Sequence, residues 1–242
     1  MQFSARTDKG KRRSLNEDCY YVDENSNLLV IADGMGGHNA GDVASQIAVT
    51  VFQEWAEGAA ASDLSPDEQL VVLKQLTSEA NRRVYDYSQQ HNLPAGMGTT
   101  LIAGFLSATC MVYVHIGDSR IYVLRNGAIE LITKDHSLVQ KMVDSGILTP
   151  QEARVHPQRN VISRAVGLES TVQIDGGNIR LSPDDTVLLC TDGLYDMVIN
   201  DTEIAELIRS PSDLSDASTA LINKALDYGG EDNVTLILAT YN

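Results

Sequence analysis

Between residues 99 and 133 four apolar runs follow one another with only a few residues between them: "TTLIAGFL" (99–106), "CMVYVHIGD" (110–118), "IYVLR" (121–125) and "AIELIT" (128–133). The last two are separated by Asn126-Gly127, a pair that readily takes the positive φ angles of a two-residue hairpin turn, so they are expected to be antiparallel neighbours. Further β-type runs lie at 19–23, 27–33, 186–192 and 233–241. Helical spacing is plain over 40–57, where Val43, Ile47, Val51 and Trp55 recur every four residues, and again over 66–90 and 213–228. Strands that arrive in runs, rather than alternating with helices, favour antiparallel sheets flanked by helices over a doubly wound parallel sheet. Pro66, Pro94, Pro150 and Pro157 are expected between elements. With no repeat, low-complexity tract or long linker, the 242 residues read as one domain. Residues 134–165, short helical stretches around Gly146, interrupt the strand pattern as a mobile insertion beside a site would.

Composition narrows the function classes. With 43% hydrophobic and 21% charged residues, the chain has the make-up of an ordinary globular protein. No window reaches 18 consecutive apolar residues and "MQFSARTDKGKRR" lacks a signal-like apolar stretch, so a cytoplasmic location is expected. Thirty-three acidic against 18 basic residues give a net charge of −15, which repels nucleic acid and anionic membrane. Three cysteines, Cys19, Cys110 and Cys190, are too few for a disulfide framework or a thiolate metal site, and Cys110 and Cys190 read as core residues.

The acidic excess has a pattern. Asp33 ends "NLLVIAD", Asp118 ends "CMVYVHIGD", Asp192 ends "TVLLCTD", and Asp232 immediately precedes "NVTLILATY", while Asn16-Glu17-Asp18 precedes another strand. A single aspartate at such a place is a turn residue. Several at the rims of core strands point to convergence, and converged carboxylates repel unless a cation joins them. The donors are hard oxygens with no histidine or cysteine pair at ligand spacing, which favours Mg²⁺ or Mn²⁺ over Zn²⁺. Two such ions sharing a carboxylate acidify a bridging water and bind phosphate oxygens.

The loop "DGMGGHNAG" after Asp33 is neither a Walker loop, since no lysine follows the glycines, nor a dinucleotide loop, since position 39 is Asn. It is expected to bring the Gly34 carbonyl and Asp33 together on a metal. "KGKRRSLNED" supplies cations for the remaining phosphate oxygens, arginine being the better fit because its planar fork matches two of them; Lys9, Lys11 and Arg12 also read as a solvated turn.

These segments resemble the metal-dependent protein Ser/Thr phosphatases of the PP2C (PPM) type, particularly the small stand-alone bacterial ones. The resemblance runs from about residue 5 to residue 240 through "TDKGKRRSLNEDCYYV", "VIADGMGGHNAGDVAS", "MGTTLIAGFL", "VHIGDSRIYVLRNG", "TKDHSLVQKMVDSGILTPQEARVHPQRNVISRAVG", "LLCTDGLYD" and "GGEDNVTLIL". It implies an α+β fold, a four-layer α-β-β-α sandwich with a dinuclear site at one edge of the two sheets. By motif position, Asp33 resembles the bridging ligand, Gly34 the carbonyl ligand, and Asp192 and Asp232 the remaining carboxylates of the first ion. Asp118 with Asp192 matches the third metal site of bacterial members, and Asp18 acts directly or through water. Arg13 matches the phosphate-binding arginine, and 134–165 the flap that influences substrate choice. Animal members carry a histidine directly after the Asp-Gly; here that position is Met35, which leaves His38 or a metal-bound water to protonate the leaving oxygen. His115 reads as structural, and His136 and His156 fall in the flap.

The implied reaction is hydrolysis of phosphoserine and phosphothreonine in proteins by direct attack of a water bridging the ions, in signalling opposite a bacterial Ser/Thr kinase. A cysteine phosphatase is excluded, because a Cys-x5-Arg loop would need arginine where Asn25, Ile116 and Asp196 stand. Two rivals carry different consequences: a non-catalytic phosphoprotein-binding domain predicts no metal-dependent turnover, and a two-metal nuclease predicts cleavage of nucleic acid. The absence of a long heptad pattern favours a monomer.

Overall fold

The computed structural model describes residues 1–37, 40–58, 64–91 and 96–241. Two antiparallel sheets lie face to face. One contains β1 (Gln2–Asp8), β7 (Arg120–Arg125), β8 (Ala128–Leu131), β10 (Thr186–Cys190) and β11 (Val234–Thr240), in the order β1-β11-β10-β7-β8. The other runs β2-β3-β5-β6-β9, from β2 (Asp18–Asp23), β3 (Leu28–Met35), β5 (Leu101–Leu106), β6 (Cys110–Ile116) and β9 (Asp175–Arg180), with the short β4 (Gly98–Thr99) paired to the end of β3. Helices α1 (Ala40–Gly58) and α2 (Pro66–Gln90) cover the second sheet, while α6 (Asp201–Arg209) and α7 (Leu214–Asp227) cover the first.

Strand alternation makes the layers. In "LLVIA", Leu28, Val30 and Ala32 face α1, against Ala44, Ala48 and Phe52, while Leu29 and Ile31 face the other sheet. There they meet Ile121, Val123, Val187, Leu189 and Ile237 in a core between the sheets. The outer face of the first sheet packs Leu188, Leu236 and Leu238 on Ile204, Leu221 and Ala225 of the helices. A run buried on both faces is therefore continuously apolar, which is why the central strands stand out in the sequence.

The expected hairpin is present: Asn126 has φ 50° and Gly127 φ 80°, and β7 pairs with β8 around them. Two prolines depart from expectation. Pro66 and Pro150 do not lie between elements but open α2 and α4 (Pro150–Arg154), each after a capping box made by Ser65 with Glu68 and Thr149 with Glu152. Proline at a first helical position loses no bond, since that N–H has no intrahelical acceptor. Pro94 lies outside the described residues.

Segment 134–165 contains α3 (Leu138–Asp144) and α4, and it closes on itself at its root. Ser163 N–H donates to the His136 carbonyl and Leu138 N–H to the Val161 carbonyl.

Candidate metal centre

β2 and β3 place Asp18 directly opposite Asp33 in an antiparallel register. Facing carboxylates on neighbouring strands repel, and no sheet keeps such a pair for its own stability. The other acids arrive from the first sheet or from the crossing between sheets. Asp118 stands in the turn that carries the chain from β6 to β7, Asp192 opens the one-turn helix α5 (Asp192–Tyr195) after β10, and Asp232 precedes β11. The two sheets are tied at this edge by Thr191, whose hydroxyl donates to Asp18 Oδ2 at 3.0 Å. Asp33 does not end its strand as expected; β3 continues to Met35, with Gly34 paired to Thr99.

Charge gathers here without a protein partner for every oxygen. Asp18 Oδ1 and Asp192 Oδ1 are shielded from solvent and accept no hydrogen bond. Burial pushes the Asp18 carboxyl up to about 6, and burial together with the Asp135 charge pushes Asp118 up to about 7. Burial, then the charges of Asp18, Asp192, Asp118 and Asp232, hold Asp33 well above the carboxylate range, and Asp192 is raised by burial and by Asp118 and Asp232. Asp33 and Asp192 both feel neighbouring carboxylates, which is the condition a divalent cation relieves.

No group of three or more acidic, histidine or cysteine side chains among the described residues is arranged to hold a metal as it stands. Protein groups occupy part of the donor set: Arg13 Nη2 binds Asp232 Oδ2 at 2.6 Å, and Thr191 takes one Asp18 oxygen. The donors fit Mg²⁺ or Mn²⁺ in kind, all being hard oxygens with two left without partners. Closure around an ion would call for rotation of these side chains.

The glycines are required by backbone approach. A Cβ on Gly34 would lie 2.0 Å from the Gly41 carbonyl oxygen and 2.6 Å from that of Glu17, so only glycine lets the first turn of α1 close on β3. On Gly193, beside Asp192, it would lie 1.9 Å from the Asn233 carbonyl oxygen. Asn233 holds the basic loop: its amide donates to the Lys9 and Leu15 carbonyls, both at 2.9 Å, and its oxygen accepts from Glu17 N–H. Arg13 hangs from that loop; its guanidinium pKa is raised, chiefly by the bond to Asp232.

Lys9, Lys11 and Arg12 are exposed, as a solvated turn would be. His115 is buried in β6, 2% exposed, and burial lowers it to about 3, in keeping with a structural place. His38 lies outside the described residues. Several residues that order the site carry little signal of their own. Thr99 and Thr100 clamp the backbone of Asp33: Thr100 Oγ1 accepts from its N–H, while Thr100 N–H and the Thr99 hydroxyl donate to its carbonyl. Thr100 Oγ1 also bonds Ser119, the neighbour of Asp118, at 2.7 Å.

Comparison with known proteins gives the family. The family described as Protein phosphatase 2C matches residues 8–227. The chain belongs to the protein phosphatase 2C family. It is 40% identical over 242 residues to the serine/threonine phosphatase stp of Listeria monocytogenes serotype 4b, covering 98% of this chain and 95% of that one. The crystal structure of the Mycobacterium tuberculosis serine/threonine phosphatase PstP/Ppp superposes with a TM-score of 0.90 at 37% identity, over 100% of this chain and 98% of the other. A structure of the catalytic domain of PstP in complex with two manganese ions gives a TM-score of 0.84 at 36% identity, over 98% and 96% of the chains.

Proposed function

We propose that this chain hydrolyses phosphoserine and phosphothreonine in proteins, using Mn²⁺ or Mg²⁺ held by Asp33, the Gly34 carbonyl, Asp192 and Asp232, with Asp118 and Asp18 extending the set. The observation that carries the reading is the gathering of five aspartates from both sheets at one edge, two of them with shielded, unpartnered oxygens. The ions, two in the core site and a third on Asp118 and Asp192, supply an acidified water and neutralise phosphoryl charge when bound.

The protein's own part is positioning. Asp33 and Asp18, fixed opposite each other by strand pairing, present a carboxylate pair on a rigid sheet rather than on a loop. Arg13 is half exposed at the rim, and its planar fork is suited to two phosphoryl oxygens once it leaves Asp232. A cavity of about 550 Å³ runs from Asp118 and Asp192 outward beneath α3 and α4, bordered by Arg154, Arg159 and the exposed Ile199. This segment is well placed to read the peptide around a phosphoresidue. Protonation of the leaving oxygen falls to His38 or to a water.

The reading extends to a single phosphatase domain over 1–242 with its flap at 134–165, supported by the core shared between the sheets. It extends also to a cytoplasmic monomer acting on phosphoproteins opposite a Ser/Thr kinase. No helix among the described residues is long and apolar enough to cross a membrane.

The test is hydrolysis of p-nitrophenyl phosphate and of a phosphothreonine peptide with Mn²⁺, with Mg²⁺ and with EDTA. Turnover that needs the metal and is abolished by EDTA is expected. Its absence would leave a phosphoprotein-binding domain. Arg13→Ala is expected to raise KM, and the inhibition constant for inorganic phosphate, by about 10-fold, in line with loss of one charge-assisted bond pair. An unchanged phosphate inhibition constant would remove Arg13 from the substrate.

A further inference from the structure

Asp118 follows β6 in a turn that begins with Gly117 at φ +107°, a place where backbone position is weakly determined by pairing. It is nevertheless fixed from two sides. On one, His136 grips Gly117 twice: the His136 N–H donates to the Gly117 carbonyl at 2.8 Å, and Nδ1 accepts from the Gly117 N–H at 3.0 Å. An accepting Nδ1 puts the ring proton on Nε2, which faces Asp175 Oδ2 at 3.1 Å. Arg164 Nη1, 3.0 Å from that same nitrogen, is then a second donor, and it is satisfied by Asp175 Oδ1 at 2.7 Å.

On the other side, the Tyr195 hydroxyl donates to the Asp118 carbonyl at 3.0 Å. Tyr195 is the last residue of α5, whose first residue is Asp192. One helical turn therefore carries Asp192 at one end and, at the other, the group that holds Asp118. The Arg120 guanidinium lies 3.6 Å from the centre of the Tyr195 ring, where a cation is attracted to the ring face. Arg120 is itself locked, with two bonds to Asp135 at 3.0 and 2.7 Å and one to the Tyr122 hydroxyl at 3.1 Å. Asp135 and His136 are adjacent residues at the root of the 134–165 segment, so the first grip on the Asp118 turn and the brace behind the second both begin there.

We propose that Tyr195, braced by Arg120, is a positioning residue that sets Asp118 at a fixed distance from Asp192 for the cation the two share. The proposal rests on the reading of Asp118 as a ligand. Partners behind metal ligands are worth ~10–100-fold in metal affinity when removed.

The experiment is Mn²⁺ titration of the metal-free chain by calorimetry, without substrate, on wild type, Tyr195→Phe, Arg120→Lys and Asp118→Asn. Tyr195→Phe removes one hydroxyl and leaves the ring under Arg120. It is expected to weaken the weakest class of Mn²⁺ site by about 10-fold, leave the tighter sites unchanged, and lose turnover at limiting Mn²⁺ that excess Mn²⁺ restores. Arg120→Lys, which keeps the charge but not the two-bond grip on Asp135, is expected to move the same site in the same direction. A Tyr195→Phe isotherm superimposable on wild type, while Asp118→Asn loses the weak site, would overturn the positioning role. If Asp118→Asn also leaves the isotherm unchanged, the ligand reading of Asp118 fails and the proposal falls with it.

Discussion

Replacing Asp33 with alanine is expected to lower metal-dependent phosphatase turnover by on the order of 10³-fold or more, while the variant stays folded. Loss of a partner behind a metal ligand already costs ~10–100-fold, and a carboxylate proposed as shared between ions would lose more. The fold does not depend on the side chain. Its backbone is held by Thr99 and Thr100, whichever residue stands at the position. The carboxyl itself is held in an unfavourable place, raised by burial and by four like charges, so the metal-free variant is expected to melt at or above the wild-type temperature. These are not ordinary surface acids, for Asp118 is only 5% exposed and the free oxygens of Asp18 and Asp192 are shielded. Turnover within a few-fold of wild type would remove Asp33 from the centre of the site.

Gly193→Ala is expected to be among the most damaging small additions near the site. The new Cβ would come within 1.9 Å of the Asn233 carbonyl oxygen and 2.8 Å of its carbon, backbone atoms that no side-chain rotation can clear. α5 and the residues leading into β11 must separate, and they carry Asp192 and Asp232 respectively. Overpacking of this kind costs about 3 kcal/mol, which in a chain of this size is a fall in Tm of roughly 6–12 °C. Mn²⁺ affinity is expected to fall with it, since two donors move apart. Thermal melts with and without Mn²⁺ check both effects; a variant that melts and binds like wild type would mean that the two backbones are not in contact.

Most legible in the sequence were the strands buried on both faces. β3, β5, β6, β10 and β11 are nearly continuous apolar runs because each lies between a helical layer and the opposite sheet. The two strands that escaped notice, β1 and β9, are edges. β1 "QFSARTD" is exposed or half exposed but for Ser4, bonded to Ser218, and β9 "DGGNIR" carries two glycines, at the first of which, Gly176, a Cβ would meet the Tyr113 carbonyl at 2.6 Å. Edge strands bury one side and need fewer apolar residues. α6 also went unread: its nine residues offer only a short stripe, Ile204, Ala205 and Ile208.

At the site, the aspartates were legible because a carboxylate at the rim of an apolar run has no packing reason to be there. What supports them was not. Thr99, Thr100, Tyr195 and Asn233 act through a few hydrogen bonds to backbone from distant parts of the chain, and such bonds leave no periodicity or spacing to read. The gathering of the acids was expected; the Arg13–Asp232 pair at 2.6 Å, which sets the phosphate-binding candidate on a metal-ligand candidate, was not.

Anomalous scattering from crystals of the chain grown with Mn²⁺ bears most directly on the role of the cluster. The account predicts manganese peaks enclosed by Asp33, Asp192 and Asp232, with Arg13 turned away from Asp232. Full-occupancy manganese elsewhere, or none, with Arg13 still closed on Asp232, would contradict it.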